Sequence, residues 1–363
     1  MISDNQGLRR KTMIIAIPKP RKQGEARLTV TIETLEKLIA AGHTILIERG
    51  AGEGLEISDA EFRKLGKGVS ILPKEYIYKT AELICTVKEP LEEEQELLAS
   101  APPGVHMFCY LHQPKPWHLE LFKKLSAVVI PFERVITKNG LRPLLAPMSR
   151  IAAEVCVLRA LNHIASVTGR RKRAKDAILV VIGSEGIGGQ TAIEYALGCG
   201  FVRENIAGLD LEEKLTKSDY AYEYKTYPAT ARNIKELLKI ADAVISTVKQ
   251  GDKKAPKIIT EEMIAGMPHG SFFADMAIDE GGSSETSMPT THENPTYENK
   301  KHGVTHYCVA NMPAAMAKSA TRDLAEATLP YLLAIGNSYP LTEKTNWDVS
   351  ELIQELKNAV TFY

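Results

Sequence analysis

The residues most typical of chemistry in this sequence form a glycine-rich turn near its middle. A strand-like apolar run, Ala177–Ile182, is followed at once by Gly183-Ser-Glu-Gly-Ile-Gly-Gly189 and then by apolar residues with helical spacing. Glycines let the backbone approach a pyrophosphate, whose charge is stabilised at the helix N-terminus. Asp210 lies 22 positions after Gly188, near the usual spacing of an acid that binds a ribose diol. The pattern favours a dinucleotide site over a purely structural turn, with the candidates Gly183, Gly186, Gly188, Gly189 and Asp210.

Glu185 is the residue of this turn that suits a pyrophosphate least. If the motif is GxGxxG starting at Gly183, Glu185 takes the middle position, and its carboxylate would repel the phosphates. If the motif is GxxGxxG, formed by Gly183, Gly186 and Gly189, Gly186 supplies the close approach. We predict the second arrangement, in which Glu185 points away from the phosphates.

Three further candidates follow strand-like runs in the N-terminal half. Lys88 follows the run 83–87, His112 follows the run 107–111, and Arg27 lies in the loop after the first strand. Ligands of open α/β sheets bind beyond the carboxyl ends of the strands. Arg and Lys bind carboxylates, and His transfers protons near neutral pH. Taken singly, Arg27 and Lys88 are also compatible with solvated charges, and His112 with a side chain that caps a turn.

Strands that alternate with helices must position these candidates. Strand-like runs occupy residues 13–17, 44–47, 83–87, 107–111 and 127–130, and a second series occupies 177–182, 206–209, 243–248 and 272–277. Between them lie helical faces, one of which opens on the capping box Ser58-x-x-Glu61 and runs through Leu65. This alternation predicts an α/β protein with two doubly wound, Rossmann-like domains and parallel sheets.

The order of these elements also predicts how the domains divide the chain. We expect a substrate domain formed by residues 1–142 and a nucleotide-binding domain formed by residues 143–313. A long helix predicted at 314–335 returns to the first domain, so residues 314–363 complete it. The nucleotide-binding domain is therefore inserted into the substrate domain.

Composition excludes several other classes of protein. Lys plus Arg equal Asp plus Glu over 363 residues, so no net charge favours nucleic acid or an anionic membrane. No apolar stretch approaches the roughly 20 residues of a membrane span, and residues 1–12 suit a frayed extension better than a signal peptide. The five scattered cysteines indicate reduced thiols in the cytoplasm and neither a disulfide framework nor a metal site. The basic run 170–175 is interpreted as a solvated loop rather than a phosphate clamp.

Several longer motifs resemble those of the alanine dehydrogenase family, which is related to the alpha subunit of the proton-translocating transhydrogenase. They occur in the family's order from Met13 to Ile335 and cover most of the chain. The matching segments are Ala51-Gly-Glu-Gly54, Val87-Lys-Glu-Pro90, Tyr110-Leu-His112, Pro143-Leu-Leu-Ala-Pro-Met-Ser149, Ala277-Ile-Asp-Glu-Gly-Gly282, Ser287-Met-Pro-Thr-Thr-His-Glu-Asn-Pro-Thr-Tyr297 and Val309-Ala-Asn-Met-Pro313.

The resemblance implies a role for each candidate. The residues that match Arg27 and Lys88 bind the substrate carboxylate in this family. The match to His112 is the general acid–base, and the match to Asp279 assists proton transfer. Residues matching Ser149, with its neighbour Met148, and Asn311 line the nicotinamide side.

The nucleotide-binding half departs from the family in three respects. Glu185 replaces a glycine, the segment before the glycine turn is shorter, and about three extra residues lie between Gly200 and Asp210. In these respects it resembles the lysine-forming saccharopine dehydrogenases. Arg150 also stands where the family usually has an acid, and residues 337–363 do not match the family's ending.

Together these features predict an NAD-dependent oxidative deaminase of a small L-amino acid, with alanine as the first choice of substrate. We expect a cytoplasmic homo-oligomer whose partners are an amino acid and a 2-oxo acid, with no metal. One alternative is a secondary-amine dehydrogenase of the saccharopine or opine type. The alternative from another class is a regulatory protein that binds a dinucleotide or an amino acid without catalysis.

Overall fold

A computed structural model describes residues 12–167, 172–217, 224–248, 254–345 and 350–363. Residues 1–11 of the predicted extension and residues 170 and 171 of the basic run lie outside these ranges. The chain forms two compact units. The first comprises the chain up to Met148 and from Ala317 onward, and the second comprises Ser149–Met316. The boundaries predicted from the sequence lie after residues 142 and 313.

Strands and helices alternate through the described residues. The strands are β1 Ile14–Ile17, β2 Thr44–Glu48, β3 Val69–Leu72, β4 Leu83–Lys88, β5 His106–Tyr110, β6 Val128–Pro131, β7 Leu179–Ile182, β8 Ile206–Asp210, β9 Lys225–Pro228, β10 Ala243–Ser246, β11 Phe272–Asp275, β12 Thr296–Asn299, β13 Val304–Tyr307 and β14 Thr361–Phe362. The α-helices are α1 Ile32–Ala40, α2 Asp59–Arg63, α3 Lys74–Thr80, α4 Gln95–Ala99, α5 Pro116–Leu125, α6 Ala146–Ser166, α7 Ile187–Gly198, α8 Glu212–Leu215, α9 Ala231–Leu238, α10 Glu261–Ala265, α11 Ala317–Ser338 and α12 Glu351–Lys357. Short 3-10 turns occupy Glu53–Leu55, Glu92–Glu94, Phe132–Arg134, Ala174–Asp176, Arg203–Asn205, Ile278–Glu280 and Met312–Met316. Within the described ranges, no helix combines the length and the hydropathy that a membrane crossing requires.

The first unit is built on a sheet with the strand order β14-β6-β5-β4-β1-β2-β3. Neighbouring strands are parallel, except that β14 runs antiparallel to β6. The chain moves outward from β1 to β3 and returns at β4 on the other side of β1. This reversal is the topological switch point of the sheet, where open α/β folds bind ligands.

The second unit repeats this plan, with the strand order β12-β13-β11-β10-β7-β8-β9. Its strands are parallel except β12, which pairs antiparallel with β13. The switch point lies between β7 and β10, and the glycine-rich turn directly follows β7. Two doubly wound α/β units with mostly parallel sheets confirm the predicted fold class.

Several elements differ from the sequence prediction. The capping box at Ser58 is present, because the Ser58 hydroxyl accepts the N–H of Glu61 and the Glu61 carboxylate accepts the N–H of Ser58. The helix nevertheless ends at Arg63 rather than Leu65. Prediction also missed β3, β9, β12, β13 and β14. Four of these are edge strands, which need less continuous apolar sequence than strands buried on both faces. The fifth, β13, is internal but contains Thr305 and His306, which broke the apolar pattern.

The C-terminal segment belongs to the first unit. Helix α11 packs against α1, and the Thr328 hydroxyl donates to the carbonyl of Thr29 at 3.0 Å. The Tyr331 hydroxyl donates to the carboxylate of Glu355 in α12. Leu356 of the same helix has none of its surface exposed. The return of the chain predicted after residue 313 is therefore built into the core of this unit.

We expect Leu356→Ala to lower the free energy of unfolding by about 2–5 kcal/mol, the usual cost of truncating a buried leucine. Lys357→Ala is the matched control, because Lys357 is exposed on the same helix and should change stability by less than about 0.5 kcal/mol. Urea unfolding followed by circular dichroism measures both. Equal stability of the two variants would contradict the packing of α12 described above.

Candidate active site

Lys88 and His112 both lie against the ring of Tyr110. Lys88 ends β4 and pairs in register with Tyr110 at the end of β5. The Lys88 ammonium nitrogen lies 5.6 Å from the centre of the Tyr110 ring, and the His112 ring stacks on it at 5.8 Å with an interplanar angle of 12°. Burial raises the pKa of Tyr110, so its hydroxyl stays protonated and donates to the carbonyl of Leu144 at 2.5 Å. A buried aromatic ring thus lies beside both a cation and an imidazole at the strand ends.

Glu133 faces the imidazole of His112. It follows β6 and is buried, while the His112 side chain is 47% exposed. The Nδ1 atom of His112 lies 3.6 Å from the Glu133 carboxylate, slightly beyond a hydrogen bond. Both Glu133 oxygens accept the N–H of Leu111, at 3.1 and 3.2 Å. A carboxylate beside Nδ1 favours a proton on that nitrogen and leaves Nε2 to exchange protons with a ligand.

Arg27 is buried beside its own carboxylate partner. Its exposed fraction is 1%, and its guanidinium donates to both oxygens of Glu25, from Nε at 2.7 Å and from Nη2 at 2.5 Å. Nη1 lies 3.0 Å from the sulfur of Met148. The N–H of Leu28 donates to the hydroxyl of Thr321 in α11 at 3.1 Å. Glu25 therefore fixes the direction of the guanidinium, and α11 fixes the loop that carries it.

A hollow opens beside Lys88 in the same unit. It is bounded by the loop after β1 and by the loop after β4, and its walls combine cations, carboxylates and one tyrosine. Its lining includes Lys19, Arg21, Lys22, Glu25, Tyr78, Lys88, Glu89 and Glu94. Arg21 is held in this wall by ion pairs to Glu48 and Glu94. The wall beside Lys88 therefore holds both cations and carboxylates, and Lys19, Arg21 and Lys22 are ion-paired.

The glycines of the turn after β7 have different physical roles. A β-carbon at Gly189 would lie 2.1 Å from the carbonyl oxygen of Gly183. Gly183 itself has φ +87°, and a β-carbon there would lie 2.6 Å from the Thr247 hydroxyl. Both positions therefore need glycine for the fold alone. At Gly186, the N-cap of α7, a β-carbon would meet only the Gly183 oxygen, at 3.5 Å. Open space at a helix N-terminus fits a phosphate group.

Glu185 and Asp210 are linked beside this turn. The Asp210 carboxylate accepts the N–H of Glu185 at 2.9 Å and the N–H of Leu211 at 2.8 Å. The Glu185 carboxylate accepts the hydroxyls of Tyr224 at 3.1 Å and Ser184 at 3.2 Å. Burial and the two nearby carboxylates raise the pKa of Tyr224, so its hydroxyl remains a donor. These bonds direct the Glu185 side chain toward Tyr224, which precedes β9.

In the second unit, Asp279 in the loop after β11 lies beside Asn311, which follows β13. Asn311 has a left-handed backbone (φ +60°), which asparagine tolerates better than most residues. Its N–H donates to the exposed carboxylate of Asp279 at 3.2 Å.

Two further cofactor candidates lie in helices of the second unit. Ser149 lies in the first turn of α6. Gly188 packs in α7, where a β-carbon would lie 3.0 Å from the end of the Met276 side chain.

Asp275 anchors the loop that carries Asp279. This carboxylate is fully buried at the end of β11. It accepts the N–H groups of Ala277 at 3.0 Å and Ser283 at 2.7 Å, and the hydroxyls of Ser283 at 3.0 Å and Ser287 at 2.5 Å. Four donors compensate its burial and close the loop around it.

Sequence reasoning missed Glu25, Glu133 and Asp275. Glu133 follows a predicted strand, as Lys88 and His112 do, and that position was a usable signal. Asp275 lay inside a predicted strand, 272–277, where a carboxylate gave no indication of its loop contacts. Within the described ranges, no three side chains of His, Cys, Asp or Glu are grouped to bind a metal ion.

Comparisons with known proteins agree with this architecture. The sequence matches the family models described as alanine dehydrogenase/PNT, N-terminal domain, over residues 16–152, and C-terminal domain, over residues 152–360. It is 37% identical to the alanine dehydrogenase of Methanococcus maripaludis, covering 90% of this chain and 88% of that protein. For the alanine dehydrogenase of Halomonas elongata the identity is 36%, with the same two shares. A solved L-alanine dehydrogenase superposes with a TM-score of 0.83 at 28% identity, covering 96% of this chain and 94% of that one. The resemblance inferred from the motifs is confirmed.

Gly186→Val is expected to abolish NADH binding while the protein stays folded, because the added side chain would occupy the space proposed for a phosphate. Gly198→Val is the matched control on α7, where a β-carbon meets nothing within 4 Å. Glu185→Gly should change binding only slightly. NADH fluorescence titration measures all three. Normal binding by Gly186→Val, or strong binding that appears only in Glu185→Gly, would contradict the proposed approach of the phosphate.

Proposed function

This chain belongs to the alanine dehydrogenase/PNT family, and on that premise we propose that it is an NAD-dependent alanine dehydrogenase. It would convert L-alanine reversibly to pyruvate and ammonia. The observation that carries the proposal is the group formed by Lys88, Tyr110, His112 and Glu133 at the ends of adjacent strands. An ammonium and an imidazole with a carboxylate behind it are what an amino-acid dehydrogenase needs.

In this proposal, Lys88 and Arg27 bind the substrate carboxylate. Lys88 ends its strand beside an open hollow and provides a charge-assisted hydrogen bond. Arg27 is already paired with Glu25, so its guanidinium is oriented before a ligand arrives. Orientation of the amino acid by two cations limits its motion and lowers the entropic cost of reaction.

His112 transfers the protons of the reaction. The substrate ammonium must lose a proton before Cα can release a hydride, and hydrolysis of the iminium that forms requires a base for the attacking water. Nε2 of His112 serves as that base while Glu133 stabilises the imidazolium that forms. Asp279, which accepts the N–H of Asn311, is proposed to assist proton transfer at the amine.

The glycine turn and Asp210 suit a nicotinamide dinucleotide. When bound, this cofactor accepts the hydride. Gly186 leaves room for a phosphate at the N-terminus of α7, Gly183, Gly188 and Gly189 shape the turn, and Asp210 would accept the ribose hydroxyls. Ser149 and Asn311 are proposed to line the nicotinamide side.

The test of the function is a panel of amino acids with NAD or NADP, followed at the nicotinamide absorbance and repeated in reverse with 2-oxo acids plus ammonia or amino acids. We expect L-alanine with NAD, and pyruvate with ammonia, to give the highest kcat/KM. Oxidation of NADH or NADPH that occurs only when a 2-oxo acid is combined with an amino acid would indicate a saccharopine- or opine-type dehydrogenase. Ligand binding without turnover would indicate a regulatory protein.

We expect His112→Ala to lower kcat about 10²–10⁴-fold, the usual contribution of a general acid–base. The wild-type pH profile of kcat/KM should contain a step that this variant lacks, because the variant has no imidazole at this position. NADH binding should be unchanged, which controls for folding. An unchanged pH profile would move the role of proton transfer to Asp279.

The Asp210 carboxylate should repel a 2′-phosphate, so we expect a higher kcat/KM with NAD than with NADP. Asp210→Asn should narrow this ratio, because it removes the charge while one side-chain oxygen can still accept an N–H of the turn. Initial rates with the two cofactors measure the ratio. A wild-type preference for NADP would show that Asp210 does not select the cofactor.

A further inference from the structure

His118 makes two hydrogen bonds to the backbone from a buried position in the first turn of α5. Its exposed fraction is 2%. Nδ1 lies 3.0 Å from the backbone nitrogen of Lys115, and Nε2 lies 2.8 Å from the carbonyl oxygen of Pro90. A carbonyl only accepts and an N–H only donates, so Nε2 carries the proton and Nδ1 has the free lone pair. The ring is therefore neutral and in one tautomer.

The surroundings of His118 keep its ring in that state. Burial lowers the pKa of His118, and nearby Lys115 lowers it further, against opposing contributions from the Pro90 carbonyl and from Glu89. The ring of Trp117 stacks on it at 3.7 Å, and Phe122 lies at 5.9 Å. The imidazole is thus fixed in place as well as in protonation state.

The two backbone partners of His118 belong to two neighbouring loops. One is the loop that follows Lys88 at the end of β4 (the Lys88 loop), and the other is the loop after β5 that contains His112 (the His112 loop). Pro90 lies two residues after Lys88, and Lys115 lies three residues after His112. Strands β4 and β5 are adjacent and parallel, but their ladder ends at these loops. Beyond the ladder, the His118 ring links one loop to the other.

We propose that His118 is a positioning residue that sets the Lys88 loop against the His112 loop. The bond to Pro90 limits the movement of Lys88, and the bond to Lys115 limits the movement of His112. This inference rests on the proposed function, because it assigns carboxylate binding to Lys88 and proton transfer to His112. It adds that the distance between these two groups depends on a third side chain that need not touch the substrate.

Two substitutions separate the bonds of His118. The side-chain oxygen of asparagine ends as far from Cβ as Nδ1, so His118→Asn keeps the bond to Lys115 and loses the bond to Pro90. The side chain of leucine has neither a donor nor an acceptor, so His118→Leu loses both bonds. His118→Asn therefore loosens only the Lys88 loop, and His118→Leu loosens both loops.

His106 provides a matched control at the amino end of β5, whereas Tyr110 and the His112 loop are at its carboxyl end. It is 1% exposed, and it also makes two backbone hydrogen bonds, to Gly104 at 3.0 Å and to Leu341 at 3.1 Å. His106→Asn should therefore destabilise the protein much as the His118 variants do. It should leave KM and kcat near wild-type values, because the amino ends of parallel strands lie away from Lys88 and His112.

The experiment is steady-state kinetics of the full chain with L-alanine and NAD. Loss of one hydrogen bond should change a kinetic constant about two- to tenfold. We expect His118→Asn to raise KM for alanine with a smaller change in kcat, and His118→Leu to raise KM and also to lower kcat. Variants that match His106→Asn, or equal losses of kcat in His118→Asn and His118→Leu, would overturn the proposal.

Hydrogen exchange at the Lys115 amide gives a second readout that does not depend on activity. We expect protection in the wild type and in His118→Asn, and faster exchange in His118→Leu. Rapid exchange in the wild type would overturn the proposal even if neither variant folds. Lys88→Ala and His112→Ala serve as benchmarks, because unchanged kinetics in both would refute the residue roles of the proposed function whatever His118 does.

Discussion

A buried carboxylate requires hydrogen-bond donors, and this requirement shapes the loops at the strand ends of both units. Glu25, Glu133, Asp210 and Asp275 each accept a backbone N–H from the loop that carries a candidate residue. An ionised group without such donors would cost several kcal/mol to bury. Each carboxylate therefore makes one loop conformation much more stable than the alternatives, and the exposed reactive groups, His112 and Asp279, lie on loops ordered in this way.

Parallel strands direct these loops to one edge of each sheet. The ladder hydrogen bonds are made within the strands, so the backbone beyond the last pair needs other partners. Carboxylates supply acceptors for its N–H groups, and His118 supplies both an acceptor and a donor between two loops. The result is a rigid support under side chains that remain accessible to a ligand.

The glycine turn shows how tightly backbone packing can restrict sequence. At Gly189 a β-carbon would collide with the backbone, so glycine there reflects the fold whether or not a dinucleotide binds. Gly186 has no such restriction from the protein, which makes it the more informative residue about a ligand. Glu185 is tolerated in this turn because the hydroxyls of Tyr224 and Ser184 bind its carboxylate.

The sequence by itself determined the α/β class, the two doubly wound units, most internal strands and the candidates Lys88 and His112, and the resemblance of its motifs to a family added Asp279. Apolar periodicity and strand-end positions are local properties, and they are readable because buried parallel strands need continuous apolar runs. Only the tertiary structure decided that Glu133 faces His112, that Glu25 pairs with Arg27, that Tyr224 binds Glu185 and that His118 joins two loops. Glu25 and Arg27 are two residues apart in one loop, but their pairing depends on the conformation of that loop. The other contacts link residues from different loops or strands, and their partners depend on how the sheets and loops pack, which no local pattern of residues encodes.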